Sequence, residues 1–398
     1  MHTKKHLTAA AGLGLALSMV GCGGTQATDM SGYNTSSNTS STSNPRSLDT
    51  STVSSGTSFG AATLGAKFLP VLGKANFAIG VNVSSFDGKP DLEFGKNPLD
   101  PKGEVVYNSK TVTAALQDIA GVGCKVVRIR LFNKLQGLKL DSNGLVTGLD
   151  DTFTKNLSDM LSRAEKSKVQ VYVCLSGSWK GLSPAKDPVT DKDARAAYLK
   201  KAVMPLVAKL KGRDGVFAID VFDEIESEVA GEDGNSTDKG ATWDDARAFI
   251  KATGEEIKSV DPHRFVTASS GLHRWQNIKA GKFAGLGLDF YDFHVFDDAG
   301  TLPPVKDLKV DRPVLIGLCG QESKKADADL QAKSDVALLT SAFKQGFAGA
   351  LLTDYAKDAD NPQSLLDKEG KHRPVVAQIQ TFAGSLSTLS TTPAALGK

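Results

Sequence analysis

The chain has 398 residues, 40% of them apolar, and its 47 basic and 45 acidic side chains leave a net charge of +2. So even a balance favours neither nucleic acid nor a strongly acidic ligand as partner. Beyond residue 22 no segment reaches the roughly 18 consecutive apolar positions of a membrane span, and four cysteines in so long a chain make no disulfide framework.

Residues 1–22 combine Lys4 and Lys5, an apolar stretch from Leu7 to Val20, and small residues before Cys22. This is the pattern of an export signal. Met19-Val20-Gly21-Cys22 also resembles a bacterial lipobox. That resemblance implies a lipidated Cys22 at the mature N-terminus and a lipid-anchored place in the cell envelope, periplasmic or surface. Export with cleavage nearby is the plainer alternative. Residues 23–74 are rich in Ser and Thr, with no hydrophobic period over 23–60, and are expected to form a flexible tether.

From residue 75 short apolar runs alternate with amphipathic segments, the sign of successive βα units. The fold class read from this is α/β: a (β/α)8 TIM barrel over residues 75–385, with a frayed tail at 386–398. Strands are predicted at Phe77–Val83, Lys125–Phe132, Val169–Leu175 and Val216–Phe222. The remaining four fall within Asp261–Ser270, at Leu288–Phe296, at Arg312–Gly320 and at Phe347–Tyr355. Helical spacing of apolar residues marks Thr111–Ala120, Asp151–Lys166, Asp191–Leu210, Trp243–Val260 and a last segment from Arg373 to Leu386. Asp141–Leu149 reads as a turn-rich connection.

One stretch stands out, Gly215–Glu226, GVFAIDVFDEIE. A buried strand there breaks into Asp223, Glu224 and Glu226, and barrel enzymes place their chemistry at the C-terminal ends of strands. An acidic, solvated loop would leave the same trace. After the third strand, Trp179 could stack on a pyranose ring or pack beneath a loop.

The stretch resembles the fourth-strand signature W-E/D-x-x-N-E-P of the clan A glycoside hydrolases, the cellulase and mannanase superfamily, in a family 5-like form. Further matches are VVRIRLF with the loop DSNGLVTGLDDTF, LDFYDFHVF to D-F-x-x-x-H-x-Y, RPVLIGLCG to K-P-x-x-x-G-E-F-G, and FAGALLTDY to G-x-x-G-x-x-x-W-x-Y. The resemblance implies that Glu224 is the acid/base, Asp220 an acid inside the strand, and Arg128 a buried arginine bracing the catalytic carboxylates. It also implies that His294 orients the catalytic pair and that Asp223 and Tyr355 line the substrate site. Arg128 turned to solvent and His294 as an ordinary core histidine are the bland alternatives.

Several positions depart from the pattern. Ile219 stands for Trp, Ile225 for Pro, Phe296 for an aromatic hydroxyl, and Thr353 for the tryptophan that floors the reactive subsite. Asp223 replaces the asparagine that holds the sugar 2-hydroxyl. Most consequentially, Leu318 falls where the nucleophilic glutamate belongs, and a leucine cannot attack an anomeric carbon. Glu322, four residues on, is the nearest acid and the candidate for a displaced nucleophile.

Three readings follow. The first is an exported lipoprotein whose barrel lacks normal retaining turnover and binds a β-glycan or an envelope protein. The second is an active β-glucan or β-mannan hydrolase or transglycosylase using Glu224 and a displaced carboxylate. The third is a structural envelope protein without a ligand. Partners are carbohydrate or an envelope protein, with the membrane reached through the lipid; no cofactor and no nucleic acid are expected. Cys124, Cys174 and Cys319 read as small buried hydrophobes. Strands three and seven face each other across a barrel, too far for a disulfide between Cys174 and Cys319. A metal site from these two with His294 lacks close paired spacing, and none is expected.

Overall fold

The computed structural model of the chain describes residues 68–86, 88–232, 240–271, 274–296, 301–320, 327–356 and 363–390. The predicted βα units form parallel strands β1 (Ala78–Asn82), β2 (Val126–Arg130), β3 (Gln170–Cys174) and β4 (Val216–Asp220). They continue with β5 in two pieces (Phe265–Thr267 and Ser269–Ser270), β6 (Tyr291–Val295), β7 (Val314–Cys319) and β8 (Gly349–Leu352). The sheet runs from the second piece of β5 through β6, β7, β8, β1, β2, β3 and β4 to the first piece of β5. Ser269 and Ser270 pair with β6, whereas Phe265–Thr267 pair with β4. One strand therefore supplies both edges of the sheet, and the ring closes at Ala268. This is the expected (β/α)8 barrel.

Side chains alternate in and out along each strand. The outward Ile79, Val81, Val127, Ile129, Val171 and Val173 join the cluster beneath the helices. The inward Ala78, Val126, Tyr172, Phe217, Phe290, Leu315 and Leu351 fill the lower lumen as a separate apolar plug. Strands apolar on both faces are what a helix-covered parallel sheet requires. Higher in the lumen the inward positions turn polar. Asn82, Arg128, Asp220, Asp292 and His294 are all buried there, so each must find a hydrogen-bond partner within the protein.

The helices lie outside: α1 (Ser109–Val122), α2 (Asp151–Lys166), α3 (Lys192–Tyr198, continued by a π turn at Leu199–Val203 into Met204–Leu210) and α4 (Trp243–Val260). After them come the short α5 (Arg274–Lys279), then α6 (Ala328–Gln345) and α7 (Val375–Ser390). Side-chain caps start them where the sequence offers Asn or Asp; Asn108, for example, accepts from the backbone N–H of Lys110 and Thr111, offsetting the loose donors of a first turn.

Three boundaries differ from expectation. Residues 68–74, assigned to the tether by composition, belong to the barrel. Pro70–Val71 and Lys74–Ala75 form an antiparallel hairpin, and Leu69 and Val71 join the lumen plug. The connection at Asp141–Leu149 is largely a second hairpin, Leu138–Leu140 against Val146–Leu149. The last helix runs on to Ser390. Residues 1–67, with Cys22, lie outside the described residues.

Strand β7 carries an irregularity that shapes the mouth. Ile316 and Cys319 both belong to the outer cluster, while Leu315 belongs to the lumen. The two outward residues are three positions apart, which a strict period of two does not allow. The register slips here against both neighbours. Gly317 and Leu318 consequently both turn inward, and Leu318 becomes the register partner of His294 on β6. Gly317 has no alternative residue: a β-carbon there would overlap the Asp292 carboxylate. Gly317→Ala is therefore expected to cost about 3 kcal/mol, read as a lowered midpoint in chemical denaturation.

Candidate active site

The tops of β2, β4 and β6 bring four of the predicted residues together. Arg128, inward on β2, donates through Nη2 to Asp220 Oδ2 at 2.7 Å and to Asp223 Oδ1 at 2.6 Å. Arg130, one inward position higher, reaches Asp223 Oδ2 at 3.2 Å. Both oxygens of Asp223 are thereby engaged. Burial works against its charge, but the two guanidinium groups outweigh burial and hold the carboxyl well below the usual range. Asp220, deeper in the lumen, is pushed upward by burial despite Arg128. Arg128 also lies over the Tyr172 ring, 5.5 Å from its centre.

Glu224 and His294 form a second unit. His294 Nδ1 lies 2.6 Å from Glu224 Oε1, with the histidine buried and the glutamate about one-third exposed. Burial opposes a charge on His294, but the bond to Glu224 outweighs it and raises the imidazole above its ordinary value. Among the described residues His294 Nε2 has no hydrogen-bond partner, and Asp223 Oδ1 is 4.0 Å away. Glu224 itself takes a left-handed backbone, φ 56° and ψ 64°, which costs a non-glycine residue of order 1–3 kcal/mol. Its N–H donates to Ser269 Oγ at 3.1 Å, and the neighbouring Asp223 N–H donates to the Ser176 carbonyl at 2.7 Å.

Two further residues of the site carried no prior assignment. Asn82, inward on β1, donates to the Gly317 carbonyl at 2.9 Å and so ties β1 to the slipped part of β7. Asp292, inward on β6, accepts from Tyr172 Oη at 2.5 Å and from the Gly317 N–H at 2.7 Å. Burial pushes its carboxyl up to about 6. Both are polar residues at inward positions of otherwise apolar strands, a signal present in the sequence.

Other predicted positions lie elsewhere. Trp179 is 3% exposed and packs edge-on against Tyr198 of α3, ring centres 5.6 Å apart. It is the residue beneath a loop, not a platform for sugar. The Tyr355 hydroxyl is committed to Asp118 on α1 at 2.8 Å, where His372 also bonds, so it is not available to a ligand. Leu318 is half-buried beside His294. Thr353 packs its methyl group over Gly320. Glu322 lies outside the described residues.

The other two tryptophans are also occupied. Trp243 lies under Lys282, and Trp275 meets Phe293 edge-on, a residue of the outer cluster. With three tryptophans in the chain, none floors the mouth. A hollow of about 500 Å³ opens at the opposite face, lined by Val71, Phe77, Lys125 and Phe343 among others. It lies below the apolar plug, away from the acids.

Cys174, Asp220 and Asp223 place potential ligand atoms within 4.8 Å of one another. Arg128 already bridges the two carboxylates, and burial pushes the Cys174 thiol up, away from the thiolate a metal needs. The donor set is thus neutralised by a fixed organic cation and does not suit a metal. All three described cysteines are free and buried.

No protein-family profile matches the chain. It is 24% identical over 302 residues to the mannan endo-1,4-β-mannosidase of Mytilus edulis, across 65% of this chain and 78% of that one. To the enzyme of the same name from Cryptopygus antarcticus it is 25% identical over 260 residues, covering 55% and 66% respectively. The crystal structure of endo-1,4-β-mannanase from Eisenia fetida superposes with a TM-score of 0.63 at 19% identity, over 81% of this chain and 94% of that one. These matches bear out the resemblance to the clan A glycoside hydrolases drawn from the strand motifs.

Asp292 yields a pH test. Its folded value of about 6 lies above the unfolded carboxylate value near 3.9, so its protonated form favours the fold. That contribution is complete below about pH 4 and is lost as pH rises through about 6. Asp292→Asn keeps an acceptor for Gly317 and a donor for Tyr172 without the charge. The variant is expected to match the parent near pH 4 and to exceed it by about 3 kcal/mol at pH 7, checked by denaturation at the two pH values.

Proposed function

We propose that the barrel binds a β-glycan of the mannan type at the mouth formed by Glu224 and His294, and that it lacks normal retaining glycosidase turnover. One observation carries this reading: Leu318 occupies the lumen side of β7 in register with His294, where the resemblance calls for the nucleophile. Retaining hydrolysis needs two carboxyl groups about 5–5.5 Å apart, one as acid/base and one as nucleophile.

Among the described residues the neighbouring acids are committed elsewhere. Asp223 is clamped by Arg128 and Arg130, Asp220 by Arg128, Asp292 by Tyr172 and Gly317, and Asp354 by Ser84. None is free to approach an anomeric carbon. Glu224, still partly exposed and paired with His294, can hold a sugar hydroxyl. The two mannosidases that resemble the chain support mannan as the ligand class. Without a tryptophan floor the ligand is held chiefly by hydrogen bonds, which sets a modest affinity.

Purified protein should bind manno-oligosaccharides in calorimetry and hydrolyse β-mannan several orders of magnitude below an intact retaining enzyme. Glu224→Gln should weaken that binding. Robust hydrolysis abolished by both Glu224→Gln and Glu322→Gln would overturn the proposal and make Glu322 the displaced nucleophile.

The same reading keeps the protein exported and anchored by lipid at Cys22. No helix among the described residues is long and apolar enough to cross a membrane. A lipidated cysteine carrying several acyl chains would anchor stably. Cys22→Ser should move the protein from the membrane fraction to the soluble fraction of cells; equal partitioning of variant and parent counts against lipidation.

A further inference from the structure

Glu226, the third acid of the strand-four stretch, has no role in the site described so far, yet it is fully buried. A buried carboxylate is tolerated only when its oxygens are well supplied with donors. Glu226 has three. Oε1 accepts from Ser270 Oγ and from Asn277 Nδ2 at 2.6 Å, and Oε2 accepts from the Gly271 N–H at 3.1 Å. All three donors sit on the top of β5 or on α5, which follows it.

Those same residues touch Glu224. A β-carbon on Gly271 would overlap the Glu224 carboxyl group, so the Glu224 side chain lies directly against the Gly271 backbone. Ser269, two residues earlier, accepts from the Glu224 N–H and donates to the Phe222 carbonyl at 3.2 Å. Ser269-Ser270-Gly271 therefore serves three ends at once: Ser269 holds the Glu224 backbone, Ser270 and Gly271 hold Glu226, and Gly271 seats the Glu224 carboxyl. The left-handed backbone of Glu224 is a conformation that persists only where its surroundings over-determine it.

From this arrangement we infer that Glu226 is a positioning residue: by gripping the Ser270-Gly271 turn it sets where the Glu224 carboxylate stands relative to His294. The inference builds on the reading of Glu224 and His294 as the ligand-facing pair, but its test uses no ligand. Glu226→Gln is diagnostic because an amide has one acceptor oxygen. If that oxygen keeps Ser270 and Asn277, an amide N–H faces the Gly271 N–H and the anchor is lost. Gly271→Ala reaches the same end by another route, pushing the Glu224 carboxyl away while leaving the Glu226 carboxylate in place.

The readout is the titration of His294, followed by nuclear magnetic resonance on histidine-labelled protein and assigned by its loss in His294→Gln. The charged groups facing its ring are Glu224, Asp223, Arg128 and Asp220, with Asp292 on its own strand. Since the Glu224 bond is what raises His294, displacing that carboxylate should lower the His294 midpoint by about one pH unit in both variants. Ile225→Val, which trims the buried neighbour of both acids, serves as control and should leave the midpoint in place. Unchanged midpoints in Glu226→Gln and Gly271→Ala would overturn the inference, as would an equal shift in the control. Absence of mannan binding in the parent protein would sink the proposed function while leaving this result intact.

Discussion

A single guanidinium holds the polar half of the lumen together. Arg128 bridges Asp220 and Asp223 and lies over the Tyr172 ring. Tyr172 donates to Asp292, and Asp292 receives the N–H of Gly317. The chain of contacts thus runs from β2 through β4, β3 and β6 to the slip in β7. Removing one partner of a buried ion pair typically costs about 3–5 kcal/mol because the other is left uncompensated. Here the loss would leave Asp220 without a cation and Asp223 with Arg130 alone. The apolar plug below could pack in any barrel of the right volume; the layer above it depends on this one cation.

Charge distribution over that layer bears on what the mouth can do. Two acids, Asp220 and Asp292, are pushed upward by burial, and Asp223 is neutralised by two arginines. Glu224 stands apart from them, paired with an imidazole whose protonation it favours. In a retaining glycosidase the second carboxylate provides charge opposite the acid/base and takes up the sugar. Leu318 supplies neither. Under the function proposed above, the site keeps a hydrogen-bonding edge without the β7 carboxylate that the resemblance calls for, an arrangement that would suit holding a hydroxylated ligand.

The sequence made the barrel legible because its signals are local. Eight buried runs, each followed by an amphipathic segment or a turn-rich loop, need no long-range information to be seen. Asp223 and Glu224 were legible because a buried strand of a barrel delivers its terminal acids to the functional face, whereas Arg128 and His294 were placed by the resemblance of their strand motifs to the clan A glycoside hydrolases. Trp179 was not, because its burial depends on Tyr198 of a helix that follows a separate loop. Tyr355 was not, because its hydroxyl is claimed by Asp118, 237 residues away in sequence. Residues 68–74 lack helical or strand periodicity of useful length, and only the open lower end of the lumen gives Leu69 and Val71 somewhere to go. Asp292 and Asn82 carried a readable sign, a polar side chain at an inward position of a buried strand, that no spacing rule singled out.

The strand-seven motif shows why scaffold and chemistry can part company. Gly317 and Gly320 match the resemblance pattern on either side of the missing glutamate, and each has a reason unconnected with catalysis. Gly317 yields its side-chain space to the Asp292 carboxylate, and Gly320 lies under the methyl group of Thr353. The slip that turns both Gly317 and Leu318 inward is held by the bond from Asn82 to the Gly317 carbonyl and by the Gly317 N–H on Asp292. None of these contacts involves the side chain at position 318. A strand so determined by its neighbours would present whatever residue stood there to the mouth, carboxylate or leucine alike. A motif match in its glycines is therefore evidence for the shape of the barrel top, and the chemistry at the mouth has to be read from Leu318, Glu224 and His294 themselves.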